Sequence, residues 1–147
     1  MKQVLLIHGP NLNLLGTREP HIYGSKTLND INKELIEYAN TKSVKLISFF
    51  SNHEGEIVDF IQKESDKSNG LIINPAAYTH TSIAIRDAIL ASSKPFIEVH
   101  LSNIYTRESF RQHSYFHDIA KGIIMGLGSY GYFLALEAMI NILELNI

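Results

Sequence analysis

Short apolar runs alternate with segments of helical periodicity along most of this chain. The first helical segment is the clearest, because Leu28, Ile31 and Leu35 recur at the spacing of one helix face. Thr27 precedes it and Asp30 lies in its first turn, which is the pattern of a helix start. The same criteria predict five strands, at 4–7, 44–50, 70–74, 95–99 and 122–127, and four helices, at 28–39, 54–64, 82–91 and 130–145.

The regular alternation of strands and helices predicts an α/β protein. Parallel strands need crossover connections, and right-handed crossovers place helices on both faces of the sheet. We therefore expect a flavodoxin-like three-layer sandwich with a five-stranded parallel sheet, formed by a single domain over residues 1–147. In this architecture a ligand binds beyond the carboxyl ends of the strands.

A long loop follows the first predicted strand. Three glycines and two prolines between positions 9 and 24 disfavour helix and strand, and long loops in compact domains are usually functional. Arg18 and Tyr23 lie on this loop, so that one segment carries both a fixed cation and a phenol. Because a guanidinium stabilises a nearby phenolate, this pair is a candidate for proton abstraction by the tyrosine.

Polar residues also follow the other strands whose ends should meet this loop. Glu98 and His100 are two positions apart on a strand end, so their side chains point to one face and can form a hydrogen bond that fixes the ring tautomer. Such a pair suits a proton donor, although a single buried histidine is more often structural.

The turn 101–103 offers N–H groups and a hydroxyl for a carboxylate. Arg107 and Arg111, one helical turn apart, offer either a second positive arm or a solvated charged face.

Composition narrows the classes of function. The net charge is −2 and the lysines and arginines do not cluster, which argues against binding of nucleic acid through a basic face. The absence of cysteine excludes disulfides, thiolate nucleophiles and cysteine metal sites, and fits a cytoplasmic protein. Glycines, Glu137 and Asn141 interrupt the apolar stretch 122–143, so we expect a strand and an amphipathic helix there and no membrane span.

Other patterns point to different functions. Residues 126–131 match G-x-G-x-x-G, but neither a further strand nor an acidic residue about 20 positions later follows, so we expect these glycines to allow close helix–sheet packing. His113 and His117 have i, i+4 spacing without a further ligand at a telling distance, and surface histidines are the simpler interpretation. A receiver-type signalling domain would carry acidic residues where His8 and Asn74 end their strands. A flavin or dinucleotide binder would show the absorbance of its bound cofactor.

Three long motifs occur in order: GPNLNLLGTREPHIYG at 9–24, NPAAYTHTS at 74–82 and EVHLSN at 98–103. Together with GLGSYGY at 126–132, they resemble the type II 3-dehydroquinate dehydratases over nearly the whole chain. Matched position by position, the resemblance implies Tyr23 as general base, His100 as general acid and Arg18 as stabiliser of the transition state, with Asn11 orienting a water at the enolate. It also implies substrate contacts from Asn74, His80, Asp87, Leu101, Ser102 and Arg111.

The reaction that the resemblance implies is loss of water from 3-dehydroquinate to give 3-dehydroshikimate, a step of the shikimate pathway, without metal, cofactor or Schiff base. This chemistry requires a base, a stabiliser of the enolate and an acid for the departing hydroxyl. A phenol ordinarily has a pKa of about 10, so Tyr23 would need neighbouring cations such as Arg18 or Arg107 to act as a base.

The resemblance further implies a homododecamer built from trimers. Asp87 is two positions from both Ile85 and Ile89 and therefore on the opposite helix face, which makes it a candidate for reaching a neighbouring subunit. Two departures from the family pattern are present. Ala77 stands where we expect glycine, and His8 stands where asparagine is common.

Overall fold

The structure is a computed structural model that describes residues 1–17, 21 and 25–145. These residues form five strands, β1 (Lys2–His8), β2 (Val44–Phe50), β3 (Gly70–Asn74), β4 (Phe96–His100) and β5 (Gly122–Met125). They also form four α-helices, α1 (Leu28–Thr41), α2 (Glu54–Glu64), α3 (Ile83–Ser92) and α4 (Tyr130–Leu145), with several short 3₁₀ turns in the connections.

The strands form one parallel sheet in the order β2-β1-β3-β4-β5. Alternate residues of β1 face opposite layers. Val4 and Leu6 pack in the core beneath α1 and α4, whereas Leu5 and Ile7 pack in the core beneath α2 and α3. Because both faces of the sheet are covered, the central strands are apolar almost throughout. The predicted flavodoxin-like sandwich with a five-stranded parallel sheet is confirmed.

The predicted elements are all present, with small differences at their ends. Helix α1 starts with a capping box, in which the Thr27 side chain accepts from the N–H of Asp30 and the Asp30 carboxylate accepts from the N–H of Thr27. Strand β5 ends two residues earlier than predicted, because Gly126 has a φ of +88° and turns the chain out of the sheet.

The apolar stretch near the carboxyl terminus divides as predicted into β5 and α4. Among the described residues, no helix combines the length and the apolar character that crossing a membrane would require. Gly131 lies in the first turn of α4, where a Cβ would lie 3.3 Å from Ile124 Cγ2. This contact agrees with the predicted role of the glycine pattern in helix–sheet packing.

Candidate active site

A cleft opens beyond the carboxyl ends of β1, β3 and β4. Its volume is about 550 Å³, including the part that is open to solvent. The three polar strand ends that the sequence singles out meet there. The cleft is lined by Pro10, Asn11, Leu12, Leu14, Leu15, Asn74, Ala76, His80, His100, Leu101, Ser102, Ile104, Arg107 and Arg111. Eight of these are predicted site residues, namely Asn11, Asn74, His80, His100, Leu101, Ser102, Arg107 and Arg111. Arg18 and Tyr23 lie outside the described residues.

Close backbone approach joins the first two strand ends. The N–H of Gly9 donates to the carbonyl of Asn74 at 2.8 Å, and a Cβ at Gly9 would lie 2.2 Å from the carbonyl oxygen of Pro75. Only glycine fits at this position. Asn52, after β2, extends the connection, because its side chain accepts from the N–H of Asn11 at 2.9 Å and its carbonyl accepts from the Tyr78 hydroxyl at 2.6 Å.

Glu98 and His100 form the predicted hydrogen bond at the end of β4, with His100 Nε2 2.6 Å from Glu98 Oε2. Glu98 is fully buried and His100 is 5% exposed. The same carboxylate oxygen accepts from the Ser114 hydroxyl at 3.0 Å and lies 3.3 Å from His117 Nε2. His100 and Ser114 therefore hold this buried carboxylate oxygen by hydrogen bonds, and His117 lies beside it. Because Nε2 of His100 faces Glu98, Nδ1 is the ring nitrogen left for the cleft.

His80 contributes a second imidazole to the cleft. Its Nδ1 lies 2.7 Å from the carbonyl oxygen of His113, so Nδ1 carries the hydrogen. Burial lowers the pKa of His80, and the nearby charges of His100 and Arg111 act in the same direction, while the hydrogen bond to His113 opposes them. The ring is therefore neutral near pH 7, and its Nε2 can accept a hydrogen bond from a ligand hydroxyl.

The two arginines of the cleft do not lie on one helix. Arg107 follows the 3₁₀ turn Ile104–Thr106, and Arg111 ends the separate turn Ser109–Arg111, so the predicted spacing of one helical turn is wrong. Both nevertheless line the cleft. Arg111 Nε donates to the carboxylate of Glu108, which orients its guanidinium. The cleft thus presents two cations in addition to its imidazoles.

The turn after β4 is fixed by the glycine-rich connection between β5 and α4. The N–H groups of Gly126 and Gly128 donate to the carbonyls of His100 and Leu101, at 3.3 and 3.0 Å. Both glycines have positive φ angles, +88° and +61°, which this path requires. A pattern typical of dinucleotide binding therefore serves here to hold the backbone beside Ser102.

A buried network of polar side chains lies behind the cleft. His8 Nε2 lies 2.8 Å from Asn32 Oδ1, and His8 Nδ1 lies 3.0 Å from the Tyr132 hydroxyl. The same hydroxyl lies 2.9 Å from Asn74 Nδ2. His8 and Tyr132 are fully buried. Burial lowers the pKa of His8 from 6.5 to about 4, with the Asn32 hydrogen bond acting in the opposite direction, and burial raises the pKa of Tyr132.

Within the described parts of the chain, one group of side chains has the spacing of a metal site: ligand atoms of Glu98, His100 and His117 lie within 4.8 Å of one another. Two ligands on one zinc ion at about 2.0–2.1 Å are roughly 3.3 Å apart, which is longer than the 2.6 Å between Glu98 and His100. A shared proton suits that distance better. His113 is not a member of this group, and its ring packs against Tyr115.

Two further predictions concern positions away from these groups. Asp87 is exposed on α3, whereas Ile85 and Ile89 are buried, so its predicted direction is confirmed. Asp87 does not line the cleft of its own chain. After β3, the residue in the left-handed conformation that favours glycine is Ala76, with a φ of +53°. The family's glycine is therefore replaced at Ala76, and the prediction that Ala77 replaces it is wrong by one residue.

Several side chains that complete the site have partners that the local sequence does not indicate. Tyr132 contacts Asn74 and Asn32 contacts His8, while Ser114 donates to Glu98 and His117 lies beside that carboxylate. Their partners are 16 to 124 residues away along the chain, so a strand-end search does not find them. The surface position preferred for the two histidines is confirmed for His113, which is exposed, whereas His117 is only partly exposed and lies beside Glu98.

Comparison with known proteins gives a consistent family assignment. The family model described as "Dehydroquinase class II" matches residues 2–140. The chain is 62% identical over 143 residues to the 3-dehydroquinate dehydratase of Francisella philomiragia, covering 97% of each chain. It is 59% identical to that of Prochlorococcus marinus subsp. pastoris, covering 97% of this chain and 98% of the relative. The crystal structure of type II dehydroquinase from Propionibacterium acnes superposes with a TM-score of 0.91 at 42% identity, covering 96% of this chain and 97% of that chain. This chain therefore belongs to the class II dehydroquinase family.

Proposed function

We propose that this protein eliminates water from 3-dehydroquinate to give 3-dehydroshikimate, with Tyr23 as general base, His100 as general acid and Arg18 as stabiliser of the transition state. The observation that carries the proposal is the buried Glu98–His100 pair at the floor of a cleft that also contains two arginines. Family membership supports the same reaction.

The geometry around His100 suits an acid. Both nitrogens of an imidazolium donate, so the acceptor that Glu98 provides at Nε2 is compatible with a proton on Nδ1, the nitrogen that faces the cleft. In the elimination this proton passes to the hydroxyl as the carbon–oxygen bond breaks, and water leaves. Ser114 donates to the same oxygen of Glu98, which supports the orientation of the carboxylate that His100 contacts.

The roles of Tyr23 and Arg18 follow from the motif at 9–24. A phenolate removes the proton beside the ketone, and the electron pair moves to the carbonyl oxygen to form an enolate. Arg18 would lower the pKa of the Tyr23 phenol by stabilising its anion, and Arg107 in the cleft wall would act in the same way. Asn11, which also lines the cleft, would orient a water molecule at the enolate oxygen.

Binding of the substrate would use the remaining polar groups of the cleft. The substrate contains a carboxylate and hydroxyl groups, which Arg111, the neutral His80 ring and the turn at Leu101 and Ser102 can bind. Asn74 adds an amide. No step in this scheme needs a metal, a cofactor or a Schiff base.

Asp87 gives a reason to expect an assembly. It is exposed and lies away from the cleft of its own chain, so a contact with substrate would require the cleft of a neighbouring subunit. We propose a homododecamer built from trimers, located in the cytoplasm, without a nucleic-acid or membrane partner. Light scattering combined with size-exclusion chromatography tests the assembly, and a fully active monomer would contradict it.

The decisive experiment compares Tyr23→Phe, Arg18→Ala and the double variant by the ultraviolet absorbance of the conjugated product. Loss of the base should lower kcat by at least about 10²-fold with little change in KM. Arg18→Ala should also move the rising, acid-side limb of the pH–rate profile to higher pH, because the Tyr23 phenol loses a stabilising cation and forms its phenolate only at higher pH.

Because the two residues act as one unit, the double variant should lose much less than the product of the single losses. Tyr130→Phe is the matched control, since Tyr130 is 59% exposed and does not line the cleft. A Tyr23→Phe enzyme within a few-fold of wild type, or fully multiplicative losses, would place the base elsewhere.

A further inference from the structure

The network behind the cleft has a defined hydrogen-bond direction. The N–H of Ala76 donates to Asn74 Oδ1 at 3.1 Å. A backbone N–H can only donate, so the carbonyl end of the Asn74 amide must face Ala76. The NH₂ end of Asn74 then faces the Tyr132 hydroxyl, 2.9 Å away.

The remaining hydrogens follow from this anchor. The Tyr132 oxygen accepts from Asn74, so its own hydrogen is directed to His8 Nδ1. His8 Nδ1 is therefore an acceptor, and the ring hydrogen lies on Nε2, which donates to Asn32 Oδ1. The chain of donors runs from Asn74 to Asn32 without a conflict, and both His8 and Tyr132 are fully buried.

We propose that His8 and Tyr132 are positioning residues that fix the amide of Asn74 for substrate binding. Asn74 lines the cleft, and with one Nδ2 hydrogen directed to Tyr132 its second Nδ2 hydrogen is available to an oxygen of the substrate. Asn74 thus acts as a donor. This inference rests on the proposed contact between Asn74 and 3-dehydroquinate.

The hydrogen bonds that restrict rotation of the Asn74 amide should affect substrate binding. Without the Tyr132 hydroxyl, Asn74 Nδ2 loses its buried partner and the amide can rotate, so the donor faces the substrate only part of the time. Asn74 lies outside the proton-transfer steps, so its orientation should affect substrate and transition state alike. The effect should therefore appear in KM rather than in kcat.

The test uses Tyr132→Phe, which removes one oxygen and keeps the buried ring. We expect KM for 3-dehydroquinate to rise about 3- to 10-fold, the range for loss of one hydrogen bond, with kcat within about 2-fold of wild type. Tyr38→Phe is the matched control, because the Tyr38 hydroxyl also donates to a side chain, that of Glu137, away from the cleft. Circular dichroism and thermal unfolding identify any variant that fails to fold.

Changes at His8 provide a second line of evidence. His8→Leu removes the acceptor for the Tyr132 hydroxyl and should raise KM in the same way. His8→Asn should restore a KM close to wild type, because its Oδ1 lies near the place of Nδ1 and can accept from Tyr132. A purely space-filling role for His8 would not distinguish these variants in this way.

A cycle with Asn74→Ala separates the possible failures. If Tyr132 acts through Asn74, Tyr132→Phe should have no further effect on KM in the Asn74→Ala background. The inference is overturned if Asn74→Ala raises KM while Tyr132→Phe does not, or if the two effects multiply. An unchanged KM in Asn74→Ala itself would remove the substrate contact from the proposed function, and with it this inference. Absence of dehydration by the wild-type protein would refute the proposed function directly.

Discussion

The buried His8 makes the stability of the protein depend on pH in a specific window. Its folded-state pKa is lowered to about 4 from 6.5, because burial disfavours the charged ring. Between these two values the unfolded chain binds a proton that the folded chain does not. The stabilisation is therefore fully present above pH 6.5 and is lost as the pH falls toward 4.

The size of the effect follows from the two pKa values. At pH 4.5 protonation of His8 stabilises the unfolded chain by roughly 2–3 kcal/mol more than the folded chain, whereas at pH 7 it has almost no effect. We therefore expect His8 alone to lower the free energy of unfolding by roughly 2–3 kcal/mol between pH 7 and pH 4.5. A loss of that size is a large fraction of the stability of an ordinary domain.

The assay is urea unfolding followed by circular dichroism at half-unit pH steps and one protein concentration, for wild type and His8→Asn. Carboxyl groups with lowered pKa, such as those of Asp30, Glu108 and Asp118, also reduce stability in acid, but they are common to both proteins. The difference between the two curves isolates His8. His53→Asn is the control, because it removes an exposed histidine at the start of α2. Parallel curves for wild type and His8→Asn from pH 7 to 4.5 would refute the reasoning.

Three other changes test separate parts of the structure. Glu98→Gln keeps an acceptor for His100 but removes the buried charge. The value of kcat, measured by product absorbance, should fall about 10- to 100-fold, with KM within a few-fold of wild type. An unchanged kcat would mean that the reaction does not use the charge. Ala76→Gly removes the strain of an alanine in the left-handed conformation, whereas Ala77→Gly only adds flexibility to the unfolded chain. Urea unfolding should therefore find the first variant more stable than the second by about 1 kcal/mol, and equal stabilities would contradict this. Dehydration should survive a strong chelator, and also borohydride in the presence of substrate, because the proposed base is a phenol; inactivation by borohydride would indicate a lysine Schiff base.

The sequence predicts the features that depend on neighbouring residues. Each strand and helix was expected near its observed position, because strand and helix periodicities are local, and Glu98 and His100 were paired correctly because they are two positions apart on one strand. The convergence of the strand ends followed from the parallel topology. These predictions needed no knowledge of side-chain packing.

The parts that sequence reasoning missed depend on contacts between distant segments. His8 and Tyr132 are 124 residues apart, and no local pattern connects them. The spacing of Arg107 and Arg111 suggests one helical turn, but Arg107 follows one short 3₁₀ turn and Arg111 ends another. The arginines reach the cleft because of the path of the segment after β4, which propensities do not define.

The position of β1 in the middle of the sheet has a consequence for biosynthesis. Its partners are far along the chain: Lys2 pairs with Val44, which is 44 − 2 = 42 residues later, and His8 pairs with Asn74, which is 74 − 8 = 66 residues later. At about 5–20 residues per second, the ribosome needs roughly 3–13 s after His8 to reach Asn74. During that time β1 can pair only with β2, once Val44–Phe50 has been made, and its other edge stays open. The cleft cannot close until the turn at Gly126 has also been made. The strand that is synthesised first thus waits longest for its second partner, and its four apolar residues must be kept from other nascent chains until then.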